Sequence, residues 1–440
     1  MEGSLDFEET FQLPAALAGS AADPADIAAA LDGLHLAAGV SYWKTCCPSR
    51  IEIATHTLAR RDTAFWDEVY NRGLGELYYR NGLDPRGLAR FPARTDGGGE
   101  AEGNRAEGTA AAGPALVLAG GGKDSVVAYE VLRAAGLPQV PLQVVPAGRE
   151  WRLAPDLEGT GLRVTRRLDP RLLELNAAGA YNGHVPFSAI LAFTAQLVAV
   201  LGGFGAVVAA NERSASNGNL LVDGVEVNHQ WSKGLRFEEM FQDWQRAHLR
   251  RVPLYFSLLR PLSELRITRA LATHRRWLGS VTSCNANFKQ SPAPPAQRWC
   301  GRCAKCVFVA MMLAPWLEES ELQAVFATSE ECRDRRQAEP RPGNPLAMPG
   351  NVPEAERLLG LRDHKPFDCV GTPREAAAAL WLCHSRGLGK DWPVMRMFRE
   401  RVLPGLSAPA DLVSAEMAIG ADHLLPARWE HALANYLEHH

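Results

Sequence analysis

From Ala115 onward the chain alternates short apolar runs with longer amphipathic stretches. The runs Ala115 to Ala119, Val140 to Val145, Leu162 to Thr165 and Ala206 to Ala210 are rich in Val, Leu and Ala, as strands covered on both faces are. Asp124 to Ala135, Val185 to Leu201 and Leu235 to Arg250 instead carry apolar residues at helical spacing. This βαβ rhythm predicts an α/β fold, a mostly parallel sheet with helices on both faces. The uncharged stretch Ile190 to Ala210 imitates a membrane span, but Gly202 and Gly203 divide it into a helix, a turn and a buried strand.

Residues 95–114, "TDGGGEAEGNRAEGTAAAGP", hold little that can pack and have the composition of a linker or mobile loop. They set off an N-terminal region, 1–94, from a nucleotide-type domain expected over 115–315. Residues 316–440 are helical in character with Pro-rich interruptions. No repeat of solenoid period is visible.

A chain of 440 residues accommodates roughly two or three domains. Its 47 basic against 50 acidic residues give a net charge of -3, which supplies no global attraction for a polyanion and argues against a nucleic-acid partner. The nine cysteines are an odd number with four crowded into 284–306, which suits reduced thiols or a metal in a cytoplasmic protein. The acidic start "MEGSLDFEETFQL" reads as neither a signal nor a transit peptide, and no membrane partner is expected.

The chemistry concentrates in "LVLAGGGKDSVVAYEVLRAAG", Leu116 to Gly136. Gly120, Gly121 and Gly122 form a turn between a strand and a helix starting at Lys123. Free N–H groups and the helix dipole make that position an anion site. Lys123 adds positive charge, whereas Asp124 helps a polyphosphate only through a magnesium ion. Asp124 after the lysine rules out a Walker A loop, and Ser125 occupies the last glycine position of a dinucleotide fingerprint. The loop resembles the SGGxDS loop of the PP-loop ATP pyrophosphatases, with Gly120 where that family usually has serine. The resemblance implies ATP held by Gly120 to Ser125, split between its α and β phosphates, with magnesium at Asp124.

Cys284, Cys300, Cys303 and Cys306 end in C-x2-C-x2-C spacing, which four-thiolate structural zinc uses. An iron–sulfur cluster and free buried thiols are the alternatives. A glycine-rich loop followed by four such cysteines resembles the 7-cyano-7-deazaguanine synthases. Asn211, Glu212, Arg213 and Ser214 follow a buried strand, where open parallel sheets bind ligands, although Asn and Ser are also ordinary turn residues. His229 and Lys233 are candidate bases ahead of a helix. In the N-terminal region Lys44, Arg50, Arg60 and Arg61 are candidate anion ligands, and Trp43 a candidate stacking surface.

Over residues 41 to about 310 the chain resembles the ATP-dependent UDP-N-acetylmuramoyl-L-alanyl-L-glutamate epimerases of bacterial peptidoglycan synthesis. The stretches that carry this are "SYWKTCCPSRIEIATHTLARRDTAFW", "AGGGKDSVVAYEVL", "NERSASNGN", "VNHQWSKG" and "RWCGRCAKCVFV". The resemblance implies adenylation of the glutamate carboxylate, proton exchange at Cα, and a small UDP-linked dipeptide as substrate. Asp124 would serve activation; His229, Lys233, Cys46 or Cys47 would transfer the proton; Lys44, Arg50, Asn211, Glu212 and Arg213 would bind substrate. A nucleobase- or tRNA-modifying enzyme, an amidotransferase and a non-catalytic nucleotide-binding module are the competing classes. No ammonia-producing nucleophile supports the amidotransferase.

Overall fold

Strands buried on both faces must satisfy their backbone groups in a ladder, which draws the apolar runs together as neighbours. The computed structural model describes residues 5–93, 109–148, 161–288, 298–327 and 343–440. Its central sheet contains β1 (Thr10–Gln12), β2 (Ala115–Leu118), β3 (Gln139–Pro146), β4 (Leu162–Arg167), β5 (Ala206–Ala209) and β6 (Leu254–Ser257). The spatial order is β1-β4-β3-β2-β5-β6, parallel throughout except for β1 at the edge beside β4.

The helices that matter here are α1 (Pro24–Trp43), α2 (Arg60–Gly73), α3 (Gly75–Arg80), α4 (Lys123–Ala134), α5 (Phe187–Gly202), α6 (Leu235–His248), α7 (Glu264–Thr273), α8 (Ala304–Leu313) and α9 (Pro373–Ser385). Alternation along β2 divides them into two layers. Leu116 and Leu118 join a core with Phe193, Phe241 and Trp244 of α5 and α6. Ala115 and Val117 join the opposite core with Val127, Leu265 and Val307 of α4, α7 and α8. Helices therefore cover both faces, as the apolar runs implied.

The N-terminal region is built into this architecture. β1 extends the sheet, and α1 lies against α5 because Gly33 has no side chain; a Cβ there would stand 2.5 Å from the Phe193 ring. Most of the expected linker, 94–108, lies outside the described residues. Its end, Thr109–Ala110, pairs with Arg251–Val252. The uncharged stretch divides as expected: α5 stops at Gly202, Gly203 turns at φ 66°, and β5 follows. No described helix is long and apolar enough to cross a membrane. The described residues of 343–440 contain helices and turns but no strand.

After the edge strand β1, the parallel part of the sheet starts at its middle. It runs from β2 outward to β3 and β4, then crosses to β5 and β6 on the other side. The connections leaving the carboxyl ends of neighbouring β2 and β5 lead to α4 and α6 on opposite faces, the arrangement whose crevice binds ligands in such sheets.

Phe193 anchors one layer, fully buried, with its ring centroid 5.1 Å from Trp66, 4.8 Å from Phe241 and 5.0 Å from Trp244. Phe193→Ala should cost about 3–5 kcal/mol, read as a lower urea midpoint at unchanged slope.

Candidate active site at the switch point

The glycine loop lies at the carboxyl end of β2. Gly121 takes φ 80°, a left-handed conformation that favours glycine, and a Cβ on Gly120 would meet nothing within 4 Å. Gly122 caps α4 without any side-chain hydrogen bond, so the first N–H groups of the helix keep no side-chain partner of the cap. The Ser125 hydroxyl donates to the Gly122 carbonyl at 2.9 Å and braces the turn. Open space, uncapped N–H groups and the helix dipole are the features that suit such a position to an anion.

Beneath the loop lies a group of buried charges. Lys123 is 5 % exposed and pairs with Asp124 at 2.5 Å and with Glu264. Burial alone would discharge this lysine, but Asp124, Glu264 and Glu212 outweigh it and hold the ammonium charged. Burial pushes the carboxyls of Asp124 and Glu264 upward against the pull of Lys123. Glu212, at the carboxyl end of β5, resists burial through Lys233 and Lys123 and stays low. Arg260, 1 % exposed, donates to the Glu212 carbonyl at 2.7 Å and to the Lys233 carbonyl, joining the two segments.

A second cluster adjoins the first. Glu76 of α3 binds Arg80 through one oxygen and His229 Nδ1 through the other, both at 2.5 Å. The His184 ring lies against His229 at 4.0 Å between centroids. The Cys369 thiol is within hydrogen-bonding reach of His229. Burial disfavours charge on His229, but Cys369 and Glu76 raise its pKa to about 9. Burial also opposes a thiolate at Cys369, and Lys233, Lys305 and His229 reverse this, drawing its pKa well below the ordinary thiol value.

Cys369 reaches this place because the segment 364–370 is docked from two sides. Asn219 donates to the Pro366 carbonyl at 2.7 Å, and Gln230 to the Val370 carbonyl at 3.4 Å. Arg80 stacks over Phe367 at 5.1 Å. The same segment brings Lys365, whose buried Nζ has no hydrogen-bond partner among the described residues. Just beyond it Glu375, in the capping box of α9, accepts from the Glu264 N–H at 2.8 Å.

The four cysteines form the third component. Their Sγ separations are 3.9 Å for Cys284–Cys303, 3.7 Å for Cys300–Cys306 and 3.5 Å for Cys303–Cys306. A tetrahedral ion with sulfur at about 2.3 Å requires edges of about 3.8 Å. This leaves room for one ion rather than a multi-iron cluster. The knuckle is tied to the glycine loop, because the Thr282 N–H donates to the Gly121 carbonyl at 3.0 Å. Asn351 ties it to the C-terminal region through the Gly301 carbonyl at 2.8 Å.

Two family models and several named proteins resemble this chain. Residues 1–258 match the MurL N-terminal domain and residues 280–411 the MurL C-terminal domain. A UDP-N-acetyl-alpha-D-muramoyl-L-alanyl-L-glutamate epimerase of Xanthomonas oryzae pv. oryzae is 39% identical over 441 residues, covering 97% of this chain and 91% of that protein. Proteins of the same name from Salinispora tropica and a Micromonospora species are each 38% identical, covering 99% and 98% of this chain and 91% and 92% of their own lengths. The chain belongs to the MurL family. Membership places it among epimerases. No solved structure matches it.

Of the residues singled out in the sequence, Lys123, Asp124, Glu212, Lys233 and His229 are brought together at this one site. Asn211 instead exchanges hydrogen bonds with Ser257, at 2.6 and 3.2 Å. Arg213 pairs with Glu416 at 2.9 Å, and exposed Arg50 with Glu52. Buried Lys44 contacts the Tyr181 carbonyl at 3.3 Å and Asn182 at 3.4 Å, on the segment leading to His184. Cys46 is exposed; burial and Cys46 push the Cys47 thiol up to about 11, away from thiolate formation. Glu76, Arg260, Glu264, Lys365 and Cys369 escaped notice because each acquires meaning only through partners far along the chain.

Cys303→Ser should remove the metal, expected at about one zinc per chain by elemental analysis, and lower the thermal midpoint. Because Thr282 holds Gly121, the same change should speed amide hydrogen exchange in the glycine loop. A metal-free chain with unaltered stability would contradict the assignment.

Proposed function

We propose that the protein epimerises the terminal L-glutamate of UDP-N-acetylmuramoyl-L-alanyl-L-glutamate to D-glutamate through an acyl-adenylate, releasing AMP and pyrophosphate in peptidoglycan precursor synthesis. The observation that carries this reading is an uncapped glycine loop over buried Lys123, at the sheet's switch point, in a chain similar end to end to proteins named for that epimerase activity. The fold, the loop and the four-cysteine knuckle also accord with a PP-loop ATP pyrophosphatase, and zinc would serve as a structural ion holding the loop.

The chemistry explains the need for ATP. The glutamate nitrogen is an amide, so Schiff-base chemistry is closed to it, and a free carboxylate makes the Cα proton a very poor acid. Joining that carboxylate to AMP as a mixed anhydride, with pyrophosphate leaving, removes its charge. Each pK unit of acidity gained lowers the barrier to deprotonation by up to about 1.4 kcal/mol. Hydrolysis of the adenylate then releases AMP and drives the sequence forward.

In this reading the loop N–H groups and Lys123 bind ATP phosphates. Asp124 and Glu212 supply hard oxygen ligands suited to Mg2+, which would neutralise the polyphosphate. Burial raises the Asp124 carboxyl, and a divalent cation bound there would draw it back to its charged form. Lys233, facing both Asp124 and Glu212, is placed to balance charge as pyrophosphate departs.

Incubation of the UDP-linked L-Ala-L-Glu with ATP and magnesium in heavy water should yield D-glutamate, deuterium at Cα, AMP and pyrophosphate. ADP with phosphate, or AMP formed only when a nucleobase, an amine donor or tRNA is added, would refute the reading. Asp124→Ala should lower the rate by roughly 10³-fold or more.

A further inference from the structure

We propose that Cys369, held beside His229 by Glu76, is the base that removes the Cα proton. This rests on the adenylation reading and adds the residue that reading lacks.

Three observations converge on the thiol. It is free and half-buried, and it faces the group of charges beneath the glycine loop, with Lys233 beside it. His229 is oriented by Glu76 at 2.5 Å, and its backbone N–H donates at 2.7 Å to the same Asn219 that holds the Pro366 carbonyl of the Cys369 segment. Carboxylate, imidazole and thiol thus form a relay in which the carboxylate fixes the ring and the ring stabilises the thiolate. Finally, the segment carrying Cys369 is hydrogen-bonded to Asn219 and Gln230, so the sulfur has a fixed position.

The groups facing Cys369 come from every neighbouring element. Lys233 lies ahead of α6, Lys305 on α8, and His229 after the hairpin of Leu220–Val222 and Val225–Val227; Lys365 and Asp368 share its own segment. Lys233, Lys305 and His229 act against the burial of the thiolate. Cys46 and Cys47 have no such surroundings.

The step balances as follows. The Cys369 thiolate takes the Cα proton to become S–H, and the C–H electron pair moves onto the carbonyl oxygen of the acyl-adenylate as an enolate. An acid on the opposite face, an ammonium such as Lys365 or a water, returns a proton to Cα as the carbonyl reforms. The thiol then loses its proton to solvent.

The test uses the full-length zinc-loaded protein with ATP, magnesium and the UDP-linked dipeptide in heavy water. Cys369→Ser should still form AMP and pyrophosphate, while deuterium entry at Cα falls by about 10²- to 10⁴-fold. Equal loss of AMP formation and exchange would overturn the proposal, since Cys369 would then act in activation. Undiminished inversion would overturn it too, as would deuterium entering L-glutamate without inversion, which would make Cys369 the donor. Absence of AMP from the wild type would instead defeat the adenylation reading.

Alkylation provides a readout independent of turnover. Iodoacetamide, followed by peptide mass spectrometry, should modify wild-type Cys369 well below the pH at which ordinary thiols of pKa about 8.5 react. In His229→Gln the profile should move upward. A Cys369 profile matching an ordinary thiol in both proteins would contradict the relay.

Discussion

The ammonium of Lys123 is buried yet charged, and the architecture around it exists to make that possible. An isolated buried cation costs several kcal/mol, so Asp124, Glu212 and Glu264 must arrive at the same place. They come from α4, from the end of β5 and from the start of α7, and each is delivered by a strand of one parallel sheet. Loss of the lysine would leave carboxylates uncompensated, a change that typically costs about 3–5 kcal/mol. The arrangement also gathers carboxylate oxygens of the kind that suit a divalent cation and the phosphates such a cation accompanies.

Two further parts of the chain are drawn to this centre. The cysteine knuckle reaches the glycine loop through Thr282 and Gly121, so a metal held by the knuckle would brace the loop's geometry. The C-terminal region reaches it through the segment 364–370 and through Glu375, which holds the start of α7. N-terminal helix α3 contributes Glu76 to the same place. A site assembled from segments this distant in the chain is sensitive to any substitution that loosens their docking.

Features fixed by short-range spacing were legible in the sequence. The glycine loop, the knuckle and four of the parallel strands declare themselves within windows of a few residues. β6 did not, because "LYFS" runs on into apolar "LLRPL" without a clear period, and β1 is only three residues long. The N-terminal region looked separable, yet β1 and α1 are bound into the sheet and its core. Cys369 in "FDCVGT" has no motif around it. Its significance arises from His229, 140 positions earlier, and from lysines contributed by other elements. Such long-range juxtapositions leave no trace in local periodicity.

Isotope tracing addresses the central claim that the substrate carboxylate attacks the α-phosphorus of ATP at the glycine loop. Substrate labelled with ¹⁸O in the α-carboxylate of its glutamate is turned over once with ATP and magnesium, and the phosphate products are separated and weighed by mass spectrometry. An acyl-adenylate hydrolysed at its carbonyl carbon leaves one labelled oxygen on AMP. Label in inorganic phosphate alongside ADP would contradict adenylation and with it the role assigned to Lys123 and its carboxylates.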